Sequence, residues 1–100
     1  MCKMFSTRFH IDVQKEYIYL CLKKWSAFST KEESIPSLEP EFYVTESFKI
    51  TKTGVKPSCI LYAIIDNSRL SQISLDIYLD RFHSYIKETF PTAIRIKTDS

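Results

Sequence analysis

The amino-acid sequence predicts a single small α+β domain spanning residues 1–100, with a four- to five-stranded antiparallel sheet and one long amphipathic helix on one face. Its composition is 44% hydrophobic and 26% charged, the balance of a globular chain with one core. Several segments alternate apolar and polar residues, as half-buried strands do. One segment near the carboxyl end instead repeats apolar residues at steps of three and four, the helical period. The predicted element order is β-β-(short α)-β-β-α-(β).

The first two predicted strands form a hairpin. Alternation begins at Phe5 and continues through Val13, which indicates a strand with one buried face. Residues 17–25, YIYLCLKKW, are apolar on both faces through Leu22, a pattern typical of an interior strand. The polar residues 14–16 between the two segments are expected to connect them.

The middle of the chain changes character over residues 26–41, SAFSTKEESIPSLEPE. Thr30 followed three residues later by Glu33 fits a capping box and predicts the start of a short helix. Pro36 and Pro40 should end that helix, because proline removes a backbone donor and restricts the residue before it. This acidic stretch, which contains serine and proline, is predicted to be a mobile loop.

A second hairpin follows. Residues 41–50 alternate again, with Phe48 and Ile50 on the apolar side, and residues 51–57 around Gly54 are expected to form the turn. Residues 58–65 are apolar on both faces and predict a central strand. Residues 92–98, TAIRIKT, predict a fifth strand at an edge, where Arg95 and Lys97 discourage further pairing.

The long helix is predicted over about residues 74–90. Ser71 or Ser74 can cap its amino end and Pro91 stops it. The apolar stripe of this helix is formed by Leu75, Tyr78, Leu79, Phe82, Tyr85 and Ile86.

Composition argues against most enzymes, metals and cofactors. The chain has one glycine, so glycine-rich phosphate loops are excluded, and we expect no cofactor. His10 and His83 are the only imidazoles and are interpreted as surface residues, because no metal-ligand or catalytic spacing surrounds them. We therefore expect no catalytic and no metal-binding residues.

Cysteine usage and hydropathy predict the cellular location of the protein. Cys21 and Cys59 lie within apolar runs, no C-x-x-C pair occurs, and the odd count of three favours reduced thiols. No apolar run approaches the roughly 20 residues of a membrane span. A cytoplasmic location without a membrane span is the resulting expectation.

The remaining function classes are contact with another protein and contact with nucleic acid. Exposed aromatic residues beside an acidic loop are typical of protein interfaces. The predicted protein contacts are Trp25, Phe28, Glu32, Glu33 and Tyr43. The nucleic-acid alternative uses a basic and aromatic sheet face. Its predicted contacts are Lys23, Lys24, Lys49, Lys52 and Lys56.

Residues 48–90 also resemble the second half of a longin domain, the SNARE-like fold of vesicle-trafficking proteins. The resemblance lies in an apolar strand at 60–65, a polar elbow at 66–69, and a helix with Leu75, Leu79, Phe82 and Tyr85 in the family's spacing. It implies a cytosolic module that regulates membrane-traffic partners through its sheet edge or helix.

A protein partner is thus the preferred expectation, for an adaptor, a regulator or a small inhibitor. A homodimer is one form that such contact can take. A viral or mobile-element accessory protein is a further alternative, since a short chain with little room for a pocket suits an inhibitor.

Overall fold

A computed structural model describes residues 4–36, 40–66 and 71–96 of the chain. The elements are β1 (Met4–Ile11), α1 (Lys15–Lys31), β2 (Glu41–Thr51), β3 (Gly54–Asp66), α2 (Gln72–Thr89) and β4 (Ile94–Ile96). The strands form one antiparallel sheet in the order β2-β3-β1-β4. The predicted α+β class and antiparallel sheet are confirmed. The element order is β-α-β-β-α-β, the ferredoxin-like arrangement.

The first predicted hairpin is wrong, because residues 17–25 lie in helix α1. The buried residues of this helix follow the helical spacing of three and four. They are Ile18, Cys21, Leu22, Trp25 and Ser29. Tyr17, Tyr19 and Leu20 are exposed although apolar, so the segment resembles a strand with two apolar faces. The predicted polar connection 14–16 is instead the start of α1, with Gln14 as N-cap.

The predicted short helix is also wrong in place. Thr30 lies in the last turn of α1, where its hydroxyl donates a hydrogen bond to the Ser26 carbonyl at 2.9 Å instead of capping a new helix. Within the predicted loop 26–41, residues 26–31 are helical. Residues 37–39 lie outside the described residues, and the mobility of the loop stays a prediction.

The second hairpin is longer than predicted. β3 begins at Gly54 instead of residue 58, and Thr51 pairs with Gly54 across a turn formed by Lys52 and Thr53. The φ of Gly54 is +134°, in the region that favours glycine, which explains the residue at this position.

Helix α2 agrees with its prediction over most of its length, and the last strand lies within the predicted residues 92–98. Ser71 caps α2, its hydroxyl accepting a hydrogen bond from the Ser74 backbone N–H at 3.1 Å, and the helix ends two residues before Pro91. The predicted stripe is buried except for Tyr85, which is half-buried. β4 covers Ile94–Ile96 and pairs with β1. Lys97 lies outside the described residues. Residues 67–70, which include most of the predicted polar elbow, also lie outside them.

Both helices pack on the same face of the sheet. Phe9 and Ile11 of β1 and Leu61 and Ile65 of β3 point toward them and belong to one buried cluster with the helix residues. The opposite face, which carries Arg8 and Tyr62, has no helix over it among the described residues. The sheet therefore separates a helix side from an open side.

Candidate interaction surface

The β2–β3 hairpin projects beyond the rest of the sheet. β1 pairs with β3 only from Cys59 to Asp66, so residues 54–58 have no β1 partner. We call residues 48–57 the hairpin arm. Pro57 lies in the arm, and its missing N–H removes no ladder hydrogen bond with β1, since β1 ends before reaching it.

The helix side of the arm is apolar and exposed. Two cross-strand pairs lie there, Phe48 opposite Pro57 and Ile50 opposite Val55. Phe48 is 72% exposed, Ile50 86% and Val55 62%, although the same face of the sheet is buried under the helices farther along the strands. We call these side chains the apolar strip. It continues the core-facing side of the sheet past the point where helix cover ends.

A shallow cavity lies at the base of the strip. Its volume is about 210 Å³, and its walls come from the start of α1, from β2 and from β3. Phe48 and Pro57 line it together with Val13 and Cys59. The charged residues in its lining are Lys15, Glu16 and Glu46. Burial raises the pKa of the Cys59 thiol, and the nearby Glu46 carboxylate adds to the effect. Apolar atoms form most of the exposed lining of the cavity, which therefore suits an apolar side chain.

The open side of the sheet carries aromatic and charged residues. The Arg8 guanidinium lies 4.5 Å from the centre of the Tyr62 ring, and Tyr43 lies next to Tyr62 with ring centres 6.4 Å apart. The Tyr43 hydroxyl donates to the Glu41 carboxylate at 2.8 Å, and this contact raises the Tyr43 pKa. Lys49 forms an ion pair with Asp12 at 3.1 Å. On this face Lys49 is thus ion-paired, while Arg8 and Glu41 each contact a tyrosine.

The five predicted protein-contact residues do not form one surface. Trp25 is 1% exposed, so the prediction that it is a surface contact is wrong. Its ring lies between the two helices and contacts Tyr78 and Phe82 of α2. Large aromatic side chains commonly fill such core positions. Phe28 is 43% exposed on α1, and Glu32 and Glu33 follow that helix. Tyr43 is 51% exposed on the open side of the sheet, away from them.

The predicted nucleic-acid lysines are divided by the sheet. Lys23 and Lys24 are exposed on α1, on the helix side. Lys49 and Lys56 are cross-strand partners on the open side, and Lys52 lies in the turn at the tip of the arm. They do not form one basic patch, because strand alternation and the helical position of residues 23 and 24 place them on different faces.

The two histidines also lie on opposite sides of the sheet. His83 faces the core, where its Nε2 lies 3.3 Å from the Thr7 hydroxyl and its ring contacts Phe9. Desolvation lowers the His83 pKa to about 4, assisted by the Arg95 charge and opposed by Asp80. It is half-buried and not the surface residue that the sequence predicts. His10 on the open side lies 2.6 Å from the hydroxyl of Ser58, which is buried.

No group of three or more metal-ligating side chains occurs within residues 4–36, 40–66 and 71–96. Across the same ranges, none of the helices has the length and apolarity needed to cross a membrane. Cys21 and Cys59 are free and buried, while Cys2 lies outside the described residues.

Sequence reasoning misses the apolar strip as a surface. Phe48 and Ile50 are on the apolar side of an alternating strand, which predicts burial. Alternation shows which side chains share a face but not how far along the strand a helix covers that face. Val55 and Pro57 fall in the predicted turn. Their position opposite Ile50 and Phe48 depends on where the hairpin reverses.

Comparison with known proteins gives a structural similarity but no match of sequence family. No family model matches the chain, and no curated protein matches it. A solved structure of CutA from Pyrococcus horikoshii, determined in the presence of 3 M guanidine hydrochloride, is similar with a TM-score of 0.47 and 16% sequence identity. The match covers 98% of this chain and 86% of that chain.

Proposed function

We propose that the chain is a non-enzymatic protein-binding module, of the adaptor, regulator or inhibitor type, which contacts its partner through the apolar strip of the hairpin arm. The exposure of Phe48, Ile50 and Val55 on one continuous face carries this proposal. Single exposed apolar residues are ordinary in proteins, but adjoining ones that extend a core-facing surface are typical of binding sites.

The geometry of the strip suits a protein partner. Side chains two positions apart on a strand are about 7 Å apart, so the two cross-strand pairs form a compact block. The cavity at its base can receive one apolar side chain of the partner, an arrangement typical of interface hot spots. Lys49 and Lys56 make the opposite, open side of the arm polar, so the apolar surface of the arm is confined to one side.

Comparative capture tests the proposal. The wild-type chain and a double variant, Phe48→Ser with Ile50→Ser, are immobilised and exposed to lysate, and bound proteins are identified by mass spectrometry. The matched control is Ile73→Ser with Ile77→Ser on α2, since these isoleucines are 72% and 42% exposed but lie away from the strip. A partner retained by wild type and control but lost by the strip variant is the expected result.

The captured partner is then purified and its affinity is measured by calorimetry. The strip variant should bind at least about tenfold more weakly, because truncation of central apolar contacts commonly costs more than about 1 kcal/mol each. Equal affinity of wild type and strip variant would remove the strip from the interface.

Single-stranded nucleic acid is a second candidate ligand, favoured by the aromatic and basic residues on the open side. Tyr43, Tyr62 and Arg8 lie there together and offer planar groups on which bases can stack. Retention of a labelled oligonucleotide at low salt, lost steeply as salt is raised and reduced by Tyr43→Ala, would favour this candidate. Binding unaffected by Tyr43→Ala would dismiss the open side as its site.

The role in membrane traffic implied by the longin resemblance stays a prediction, as do the cytoplasmic location and the viral-accessory alternative. The identity of the captured protein bears on each of them, because a vesicle-trafficking partner, a host defence protein and an unrelated enzyme would each indicate a different role.

A further inference from the structure

We propose that the partner of the hairpin arm is a second copy of this chain, bound by antiparallel pairing of the two β2 strands about a two-fold axis at Thr45. This inference rests on the proposed function, since it assigns a partner to the same arm. Three observations lead to it: an unpaired edge, a matching pattern of charge along that edge, and the cover that the pairing would give to the apolar strip.

The unpaired edge is that of β2. The sheet order β2-β3-β1-β4 leaves β2 with a partner on one side only among the described residues. The strand has 11 residues, Glu41 to Thr51, and none of them is a proline. The opposite edge strand, β4, has 3 residues. A long edge without proline presents a row of backbone donors and acceptors that another strand can pair with.

The pattern of charge selects the register. In a two-fold antiparallel pair, residues at equal distances on either side of the central residue lie opposite each other and on the same face. With Thr45 at the centre, Glu41 of each copy lies opposite Lys49 of the other, so two opposite-charge pairs form. Moving the centre to Glu46 would place the two Glu46 carboxylates opposite each other. The sequence of β2 therefore favours Thr45.

The charged side chains that would meet share one face of the sheet. Glu41 and Lys49 both lie on the open side, where Glu41 accepts from the Tyr43 hydroxyl and Lys49 donates to Asp12. Asp12 follows β1, across β3 from the free edge of β2, so Lys49 would leave this ion pair to reach Glu41 of the other copy. Glu41 is exposed and Lys49 is partly exposed, so each can contact a second copy without rearrangement of the core.

The same register places the β2 residues of the apolar strip, Phe48 and Ile50, beside the other copy. Phe48 of one copy would lie opposite Phe42 of the other, on the helix side. Phe42 is half-buried and packs on Phe82 of α2 with ring centres 5.7 Å apart. The arm of each copy would therefore run beside the helix-covered half of the other, which supplies the apolar contact that its own helices do not reach.

A charge-exchange experiment tests the inference with the full chain. Sedimentation equilibrium of the wild type should show a monomer–dimer equilibrium. In a homodimer of Glu41→Lys each cross-strand charge pair consists of two lysines, and in a homodimer of Lys49→Glu it consists of two glutamates. Each variant alone should therefore dimerise at least about tenfold more weakly, because like charges directly opposite each other are destabilising.

When the two variants are mixed, a heterodimer should form more readily than either homodimer. One of its two charge pairs then joins the two substituted side chains, and the other joins two native side chains. Each pair consists of one lysine and one glutamate.

Charge-matched controls are Lys23→Glu on α1 and Glu33→Lys beyond its end, which are exposed and lie off the β2 edge. They should leave the dimer unchanged, and circular dichroism should show every variant folded. Native mass spectrometry of the mixture, with a mass tag on one variant, distinguishes the heterodimer from the two homodimers.

A chain that is monomeric at every concentration would overturn the inference, and so would a dimer that neither charge variant weakens. If the chain is monomeric but the strip variant still loses a captured protein, the proposed function stands and only the choice of partner fails. If the dimer forms and shows the charge exchange but nothing else is captured, the protein partner is the second copy.

Discussion

The indole N–H of Trp25 donates a hydrogen bond to the hydroxyl of Tyr78 at 3.0 Å, joining two residues that lie 53 positions apart in the chain. Each is 1% exposed. Trp25 lies on α1 and Tyr78 on α2, so this bond connects the two helices inside the core. A buried polar group without a partner is costly, and each of these residues supplies the partner of the other.

Replacement of Tyr78 by phenylalanine should therefore destabilise the fold. The change removes one oxygen and leaves the Trp25 indole N–H buried without an acceptor, which should lower the free energy of unfolding by about 1 to 3 kcal/mol. Urea denaturation measures it. Tyr19→Phe is the control, because Tyr19 is 40% exposed and should change stability by less than about 0.5 kcal/mol. Equal stability of the two variants would show that the bond contributes nothing.

Replacement of Trp25 by alanine should cost more, about 3 to 5 kcal/mol, because it empties the space between the helices. If Trp25 were a surface contact, its replacement would weaken binding without unfolding the protein. Because Trp25 is buried, its replacement should affect folding itself, and thermal and urea denaturation should show a large loss of stability. A folded Trp25→Ala protein with wild-type stability would contradict this packing.

The two helices show how far sequence reasoning reaches. Helix α2 is predictable because polar residues separate its apolar ones, so the helical period is unobscured. In α1 the buried set has the same period, but Tyr17, Tyr19 and Leu20 add apolar residues on the exposed side. Tyrosine and isoleucine are common in strands, which reinforces the wrong prediction. Tertiary contact, supplied here partly by Tyr85 donating to the Cys21 carbonyl at 2.8 Å, decides such segments.

The half-buried His83 should make stability depend on pH. In the folded chain its pKa is lowered to about 4 from 6.5, chiefly by desolvation. The unfolded chain therefore binds more protons between these values, so the free energy of unfolding should fall as the pH falls from 6.5 toward 4 and level off below. The side chain is only partly buried, so the expected loss is about 1 to 2 kcal/mol.

Denaturation of wild type and His83→Gln across this pH range measures the effect as the difference between them. The variant should lack this part of the pH dependence, whereas His10→Gln, on the other side of the sheet, should keep it. An NMR titration that places the His83 pKa near the ordinary value of about 6.5 in the folded protein would contradict the expected sign and range.

Gly54 should resist substitution although space surrounds it. A β-carbon added there would meet no atom within 4 Å, but the φ of +134° is one that other residues rarely adopt. Gly54→Ala should therefore cost about 1 to 3 kcal/mol through backbone strain alone. Thr53→Ala, at the neighbouring turn position, is the control and should cost less in the same denaturation experiment. An alanine variant as stable as the wild type would show that the turn relaxes.

The hairpin arm is only partly predictable from the sequence. The alternation of residues 41–50 places Phe48 and Ile50 on the helix side, and that assignment is confirmed by their pairing with Pro57 and Val55. Their exposure is not predictable, because it depends on the length of β1 and on the position of α1. β1 ends at Ile11 and α1 starts at Lys15. As a result, β1 does not pair with the part of β3 that belongs to the arm.

The arm predicts a contrast between two isoleucines on the same side of the hairpin. Ile65 is 1% exposed and Ile50 is 86% exposed. Ile65→Ala should lower the free energy of unfolding by about 2 to 5 kcal/mol, since it leaves a cavity in the core. Ile50→Ala should change it by less than about 0.5 kcal/mol in dilute solution, where no second copy covers the residue.

Urea denaturation at low and high protein concentration distinguishes the sources of stability. The stabilisation gained on raising the concentration should be smaller for Ile50→Ala than for the wild type, because binding a partner stabilises the folded state by mass action. The difference between Ile65→Ala and the wild type should persist at low concentration, where association is absent. If Ile50→Ala were as destabilised as Ile65→Ala in dilute solution, Ile50 would already be covered within its own chain. The apolar strip would then be part of the core and not a surface available to a partner.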